Sequence, residues 1–211
     1  LMIRRPPRST QSRSSAASDV YKRQKKVWSR PIPEIEEALP ARYQDNLFHL
    51  QAFGEPCELH PQKILLAGEP VDHAVGILIA MYASSVTKEA VQFHPLKAFK
   101  QFQGAMGYQA AFHTNAERAL IPHVEEIQKR QEEIIARFSG FRNEEARRCD
   151  FSFTLFPLPK IPLYYIFNLP DEEFPASVTC LFAFNADHFM PVAGLADTAE
   201  YTAKKILQGL S

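Results

Sequence analysis

The sequence predicts an α+β domain, a mostly antiparallel sheet packed against several helices, and three observations carry that prediction. Strand-like segments come first, helix-like segments follow, strands return, and a helix closes the chain, unlike repeating strand–helix–strand units. Phe151, Phe153 and Leu155 alternate with Ser152 and Thr154, the period of a half-buried strand. Leu195, Ala199, Ala203, Ile206 and Leu210 fall on one stripe at helical spacing, which marks the last helix as amphipathic.

Taken in order, Pro31, Pro33 and Pro40 punctuate the entry, and Asn46 to Phe53 reads as a strand. Glu55 to Leu59 and Lys63 to Leu66 are two shorter strands separated by the turn-forming pair His60-Pro61. Val71 to Ala83 is almost wholly apolar and too long for an average strand, so a buried helix is expected. His94-Pro95 is expected to open a short helix through Phe102, with Phe99 and Phe102 inward and Lys97 and Lys100 flanking. After Gly104 and Gly107, a helix is expected from Tyr108 to Glu117. A further helix has Pro122 in its first turn, a stripe of Leu120, Val124, Ile127, Ile134 and Phe138, and Gly140 as its C-terminal cap. Glu125–Lys129, Glu126–Arg130 and Glu133–Arg137 are spaced to pair on its wet side.

In the last third, Pro157, Pro159 and Pro162 predict an extended connection after the Phe151 strand, since each fixes φ and restrains its predecessor. Leu163 to Phe167 is the next strand, and Ser177 to Phe184 follows with Val178, Cys180, Phe182 and Phe184 on one face. Between them, Asn168 to Pro175 forms a compact acidic loop.

Of 211 residues, 45% are hydrophobic, and 24 Lys+Arg balance 24 Asp+Glu. The balance is a sum of two unlike parts. Residues 1–24 hold six basic residues against Asp19 alone, a net of +5, which leaves −5 for the 187 residues from Lys25 to Ser211. The first segment is Arg- and Ser-rich without hydrophobic period, the composition of a disordered leader, and it has no apolar core of a secretory signal. The string LMIRRPPRSTQSRSSAASDVYKRQ also looks like translated sequencing-adapter DNA, so residues 1–24 are set apart as a non-native or disordered leader. Residues 25–211 are then a single α+β domain, large enough to bury roughly 70% of its unfolded surface. Its acidic balance argues against nucleic acid, and the absence of an 18-residue apolar run argues against a spanning helix. A cytoplasmic location is expected.

Cys57, Cys149 and Cys180 are scattered and form no CxxC, so neither an iron–sulfur cluster nor a paired-ligand zinc site is expected. Cys180 reads as a core residue, whereas Cys149 follows Arg147-Arg148, which would lower a thiol pKa. His113 and Glu117 sit four apart on one helix face and could supply two metal ligands, His188 is a further candidate ligand, and His113 or His188 could carry a proton. No GxGxxG, GxxxxGK[ST] or GxSxG is present, so no nucleotide cofactor or elbow-type hydrolase is predicted. The run Asp171-Glu172-Glu173 is the most unusual polar feature. Three adjacent carboxylates fit a hard cation or a general acid, or Asp171 can terminate a turn while Glu172 and Glu173 face water.

Phe156-Pro-Leu-Pro-Lys-Ile-Pro-Leu163, Asp171-Glu-Glu-Phe-Pro-Ala176 and Leu181-Phe182 together resemble the uncharacterised prokaryotic family known as domain of unknown function 3786. Gly107-Tyr-Gln-Ala-Ala-Phe112 and the strand ending in Pro56-Cys57-Glu58 are similar in placement. An acidic residue expected soon after Leu181-Phe182 is replaced here by Ala183-Phe184-Asn185. The resemblance implies anaerobic prokaryotes, some relatives carrying an iron–sulfur segment that has no counterpart in these cysteines. It also implies that Asp171, Glu172, Glu173 and Phe174 form a shaped binding loop, with Phe174 buried. The expected function is a small-molecule or partner-binding accessory protein with a pocket near that loop. The competing expectations are a metal-assisted enzyme that uses residues 171–173, and a structural oligomer subunit.

Overall fold

The computed structural model describes residues 20–71, 73–143 and 149–210. It is an α+β arrangement of two antiparallel sheets and several helices around one continuous apolar core. A first helix, α1 (residues 20–28), is followed by α2 (Ile32–Ala38) with Pro33 in its first turn, a position where the missing N–H costs nothing. Residues 1–19 lie outside the described residues. Residues 20–24, grouped with the leader on composition, are helical here. Val20 and Gln24 are buried, and Gln24 Nε2 donates to His60 O at 3.0 Å.

The first sheet is a meander of β1 (Arg42–Gln44), β2 (Leu47–Ala52), β3 (Glu55–Leu59), β4 (Ile64–Leu66) and β5 (Glu69–Pro70). Three of its hairpins turn on two residues that both have positive φ: Asp45-Asn46, Phe53-Gly54 and Ala67-Gly68. That geometry matches the twist of the flanking strands. It also trims the expected Asn46–Phe53 strand at both ends, because Asn46 and Phe53 are turn positions.

The expected apolar helix is α3 (Ala74–Ser85), buried along most of its length. The short helix expected from His94-Pro95 does not form. Lys97 and Ala98 instead make a strand, β6 (Lys97–Ala98), paired with Phe182 and Leu181, and only a single 3-10 turn, Phe99–Gln101, follows. Phe99 and Phe102 do point into the core. Residues 109–117 are helical, close to the expected span, but α4 (Gln109–Phe112) widens into a π-helical turn, His113–Glu117. A 3-10 segment, Arg118–His123, carries Pro122.

The helix expected through Phe138 is broken at Arg130 into α5 (Val124–Lys129) and α6 (Gln131–Arg137). At the break, Gln131 Nε2 donates to Gln128 O at 2.9 Å and satisfies a carbonyl of the interrupted ladder. The ion pairs differ accordingly: Arg130 holds Glu133, and Arg137 reaches Glu55. The helix ends with Ser139, not Gly140, in the left-handed region (φ 52°). Gly140 N–H donates to Ile135 O and Ser139 N–H to Ala136 O, a Schellman closure. Gly140 is required for another reason: a Cβ there would lie 2.2 Å from Thr154 O.

The second sheet has the order β6-β10-β9-β8-β7, built from β7 (Phe141–Arg142), β8 (Phe151–Leu158), β9 (Ile161–Asn168) and β10 (Ser177–Phe182). Pro157 and Pro162 lie within β8 and β9, not in an extended connection, and the strands meet in a tight turn at Pro159-Lys160. A register irregularity between Leu155 and Leu158 accommodates Pro157, whose carbonyl accepts from Phe53 N at 2.6 Å and ties the two sheets together. β8 is buried on both faces, so Ser152 and Thr154 are not solvent-facing as the alternation predicted. Phe151, Phe153, Leu155, Tyr165, Phe167, Val178, Cys180 and Phe182 are all buried on the core side. Phe184 lies beyond β10 and is 38% exposed, with Lys97 Nζ 4.2 Å from its ring centre. The closing helix, α7 (Val192–Leu210), buries Leu195, Ala199, Ala203 and Ile206 as the stripe predicted. Among the described residues, no helix is long and apolar enough to cross a membrane.

Candidate functional site

Residues directly opposite one another in an antiparallel pair share a face. The register therefore places Phe141, Thr154, Tyr164, Leu181 and Ala98 in one row across the second sheet, on the face away from Phe153, Tyr165 and Cys180. Above this row lies a hollow of about 630 Å³, within the size range of small-molecule sites. It is lined by Phe93, His94, Leu96, Phe141, Arg142, Asn143, Thr154 and Tyr164. Phe156 joins its aromatic wall, with ring centres 6.4 Å from Phe93 and 6.1 Å from Phe141.

The floor is polar. Thr154 Oγ1 donates to Asn143 Oδ1 at 2.9 Å and Thr154 is 1% exposed, while the buried Asn143 Nδ2 has no hydrogen-bond partner among the described residues. Arg142, which lines the hollow, also pairs with Glu132 of α6, and both side chains are more than half exposed. The lining contains no carboxylate.

One wall is the segment from Val86 to Leu96, which crosses the sheet and is pinned outside the hollow. Lys160 Nζ, at the tip of the β8–β9 hairpin, donates to Thr87 O at 2.8 Å and Glu89 O at 2.9 Å. Burial pulls the Lys160 ammonium below its ordinary pKa, partly offset by Glu37 and Glu89. The buried Asn185 accepts from Gln92 N at 2.9 Å and donates to Ala90 O at 3.0 Å. Arg30 and the Lys88–Glu37 pair hold the start of the segment.

The residues singled out from sequence lie elsewhere. Asp171 Oδ1 accepts from Glu173 N at 2.8 Å and Phe174 N at 2.6 Å, the capped turn that was one of its two expected roles. Glu172 and Glu173 are exposed, and Phe174, expected to be buried, is 66% exposed. Asp171 N also donates to Phe174 O at 3.0 Å, so the turn is closed by its own backbone and by the Asp171 carboxylate, without the ring. A separate recess of about 450 Å³ beside the loop is lined by Pro170, Ala176 and residues 121–126 with Lys129.

His113 Nδ1 and Glu117 Oε2 lie 2.7 Å apart, so this pair is brought together. The other Glu117 oxygen is turned inward and accepts from Cys180 N at 3.0 Å. His188 pairs with Glu89 at 2.8 Å, near the pinned segment and on a different element. Among the described residues, no group of three or more His, Cys, Asp or Glu is placed to hold a metal ion. Cys57 and Cys180 are buried. Burial, with Glu58 adding, pushes the Cys57 thiol up to about 12. Cys180 is pushed well up by burial and by Glu117, and Tyr165 by burial and then by Cys180. Cys149 is partly buried, and Arg147 and Arg148 beside it lie outside the described residues.

No curated protein and no solved structure matches the chain. A family model described as Domain of unknown function (DUF3786) matches residues 31–205, which span both sheets, the pinned segment and every residue that lines the hollow. The chain belongs to that family.

Proposed function

We propose that this chain is a small-molecule-binding accessory protein of anaerobic prokaryotic metabolism, working in the cytoplasm without nucleic acid, and that its ligand occupies the hollow over the second sheet. The observation that carries this reading is a concave, largely aromatic hollow whose walls are fixed by hydrogen bonds made outside it. Walls held before binding reduce the ordering cost of association. The net charge of −5 over residues 25–211 supports the exclusion of nucleic acid, and the anaerobic setting rests on the family resemblance.

Tyr164 is four residues along β9 from Asn168, so the hollow lies about 13 Å from the start of the acidic loop. The recess beside the loop is a second place for a ligand, and the hollow is preferred for its larger volume and its aromatic lining. The test is an amide-shift screen by nuclear magnetic resonance with soluble neutral, anionic and cationic compounds, both ring and chain. The reading expects at least one compound to shift the amides of Phe141, Asn143, Thr154 and Tyr164 together. If none of them moves those amides, it fails.

A further inference from the structure

We infer that the hollow takes a small carboxylate with an apolar body, a single negative charge that meets the Arg142 guanidinium at the β7 edge of the second sheet. This rests on the small-molecule reading above and names the ligand class.

The lining is unequal in charge. Arg142 and His94 belong to it, and among the described residues no Asp or Glu does. Nε and Nη2 of Arg142 both meet Glu132 Oε1. A guanidinium carries five N–H donors, so the two on Nη1 are left without a partner among the described residues. Both members of the pair are more than half exposed, and a surface pair of that kind is weak enough for a second carboxylate to share the guanidinium. Glu132 does not line the hollow, so a ligand meets the positive member of the pair.

A second donor follows in sequence. Thr154 Oγ1 holds Asn143 Oδ1 and so fixes the amide, whose buried Nδ2 has no partner among the described residues. An unmet buried donor is a standing cost that an acceptor oxygen would recover. Nδ2 is shielded from water, so an oxygen reaches it after a small movement of the side chain, whereas the exposed guanidinium is met directly. Arg142 ends the edge strand β7 and Asn143 follows it, which puts both donors at one margin of the hollow. Phe93, Leu96, Phe141 and Tyr164 offer the rest of a ligand an apolar surface.

The count of charges limits the head group to one. A single guanidinium shared with Glu132 can meet one negative charge, not a phosphate dianion or a polyanion, and the net −5 of residues 25–211 repels those further. An ammonium ligand would meet a cation and no carboxylate in the lining.

The experiment uses naphthoate, naphthamide and naphthylmethylamine, which share one body and are anionic, neutral and cationic at neutral pH. Calorimetric titration and amide-shift mapping compare wild type, Arg142→Gln and Glu132→Gln, with circular dichroism to check folding. Naphthoate is expected to bind at the hollow at least about fivefold more tightly than naphthamide, with naphthylmethylamine the weakest. Arg142→Gln should weaken naphthoate by about three- to tenfold and move naphthamide by less than about twofold. Glu132→Gln removes the competing negative charge and should tighten naphthoate by about two- to fivefold. Naphthamide or naphthylmethylamine binding as tightly as naphthoate would overturn the anionic class while leaving small-molecule binding intact. A naphthoate affinity unchanged in Arg142→Gln, or not improved in Glu132→Gln, would overturn the contact with Arg142. If neither these probes nor any compound of the broader screen moves the hollow's amides, both the ligand class and the binding reading fall.

Discussion

Glu117 offers the sharpest test of how this fold is held together. It is 9% exposed on the π-helical turn, and its Oε1 accepts from Cys180 N in the buried strand β10. β6 pairs only with Leu181 and Phe182, so the edge of β10 below Leu181 has no neighbouring strand, and the carboxylate takes that place for Cys180. Glu117→Ala strands a buried N–H, at a cost of about 1–3 kcal/mol. The second contact, to His113, contributes less than about 1 kcal/mol because that imidazole is half exposed. A total of about 1–4 kcal/mol corresponds to a Tm drop of roughly 2–16 °C for a domain of this size. Glu117→Gln retains an acceptor oxygen for Cys180 and is expected to stay within about 1 kcal/mol of wild type. Urea denaturation gives the two stabilities, and hydrogen exchange at the Cys180 amide reports the bond directly. If alanine is tolerated within about 0.5 kcal/mol, or if glutamine costs as much as alanine, the acceptor argument is wrong.

Lys160→Met removes two charged hydrogen bonds to the pinned segment and should cost about 2–4 kcal/mol in a urea melt, with faster exchange at residues 87–92. Asp197 titrates above its ordinary range, chiefly through burial and secondarily through Glu200. Its folded pKa exceeds its unfolded one, so its charge opposes folding at neutral pH and the penalty vanishes once pH falls below both values. Asp197→Asn should therefore raise Tm slightly at pH 7, and the gain should disappear near pH 3. Glu200 behaves in the opposite sense, held low mainly by its bond to Lys204. Its stabilisation is present above the unfolded pKa and lost as pH falls through the folded one, so Glu200→Gln should narrow the stability difference between pH 7 and pH 3. Asp171→Ala breaks the two-bond turn cap and should cost about 1 kcal/mol by thermal melting, whereas Asp171→Asn keeps an acceptor and should cost less.

The α+β class was readable because it depends on period and order, which survive in a one-dimensional string. Elements misread from sequence failed for local reasons. Asn46 and Phe53 look like strand residues, yet each takes positive φ in a two-residue turn. Pro157 and Pro162 look like breakers, yet the register irregularity between Leu155 and Leu158 leaves both outside the paired positions of the ladder, where no N–H is needed. The break at Arg130 has neither glycine nor proline to announce it, only Gln131 folding back onto Gln128. Phe174, flanked by prolines, reads as a buried ring, but the turn there is closed by the Asp171 carboxylate and backbone, and the ring is left exposed. The hollow left no sequence signal of its own. Its residues come from two short stretches, 93–96 and 141–143, and from the strands β8 and β9, and the pairing register brings the last three of these together.

That register also explains why the hollow persists instead of collapsing. A strand buried on both faces needs a cover, and the segment from Val86 to Leu96 supplies one wall of it for β8. Its anchors are Lys160, Asn185 and Arg30, all bonding to its backbone away from the aromatic row. Because these bonds satisfy buried donors and acceptors, shifting the segment inward to fill the space would break them at about 1–3 kcal/mol each. Filling the hollow with side chains of the protein itself would recover about 25 cal/mol per Å² of apolar surface, too little over so small a lining to offset several such losses. Under the small-molecule reading proposed above, a ligand would bury that surface without breaking any of those bonds.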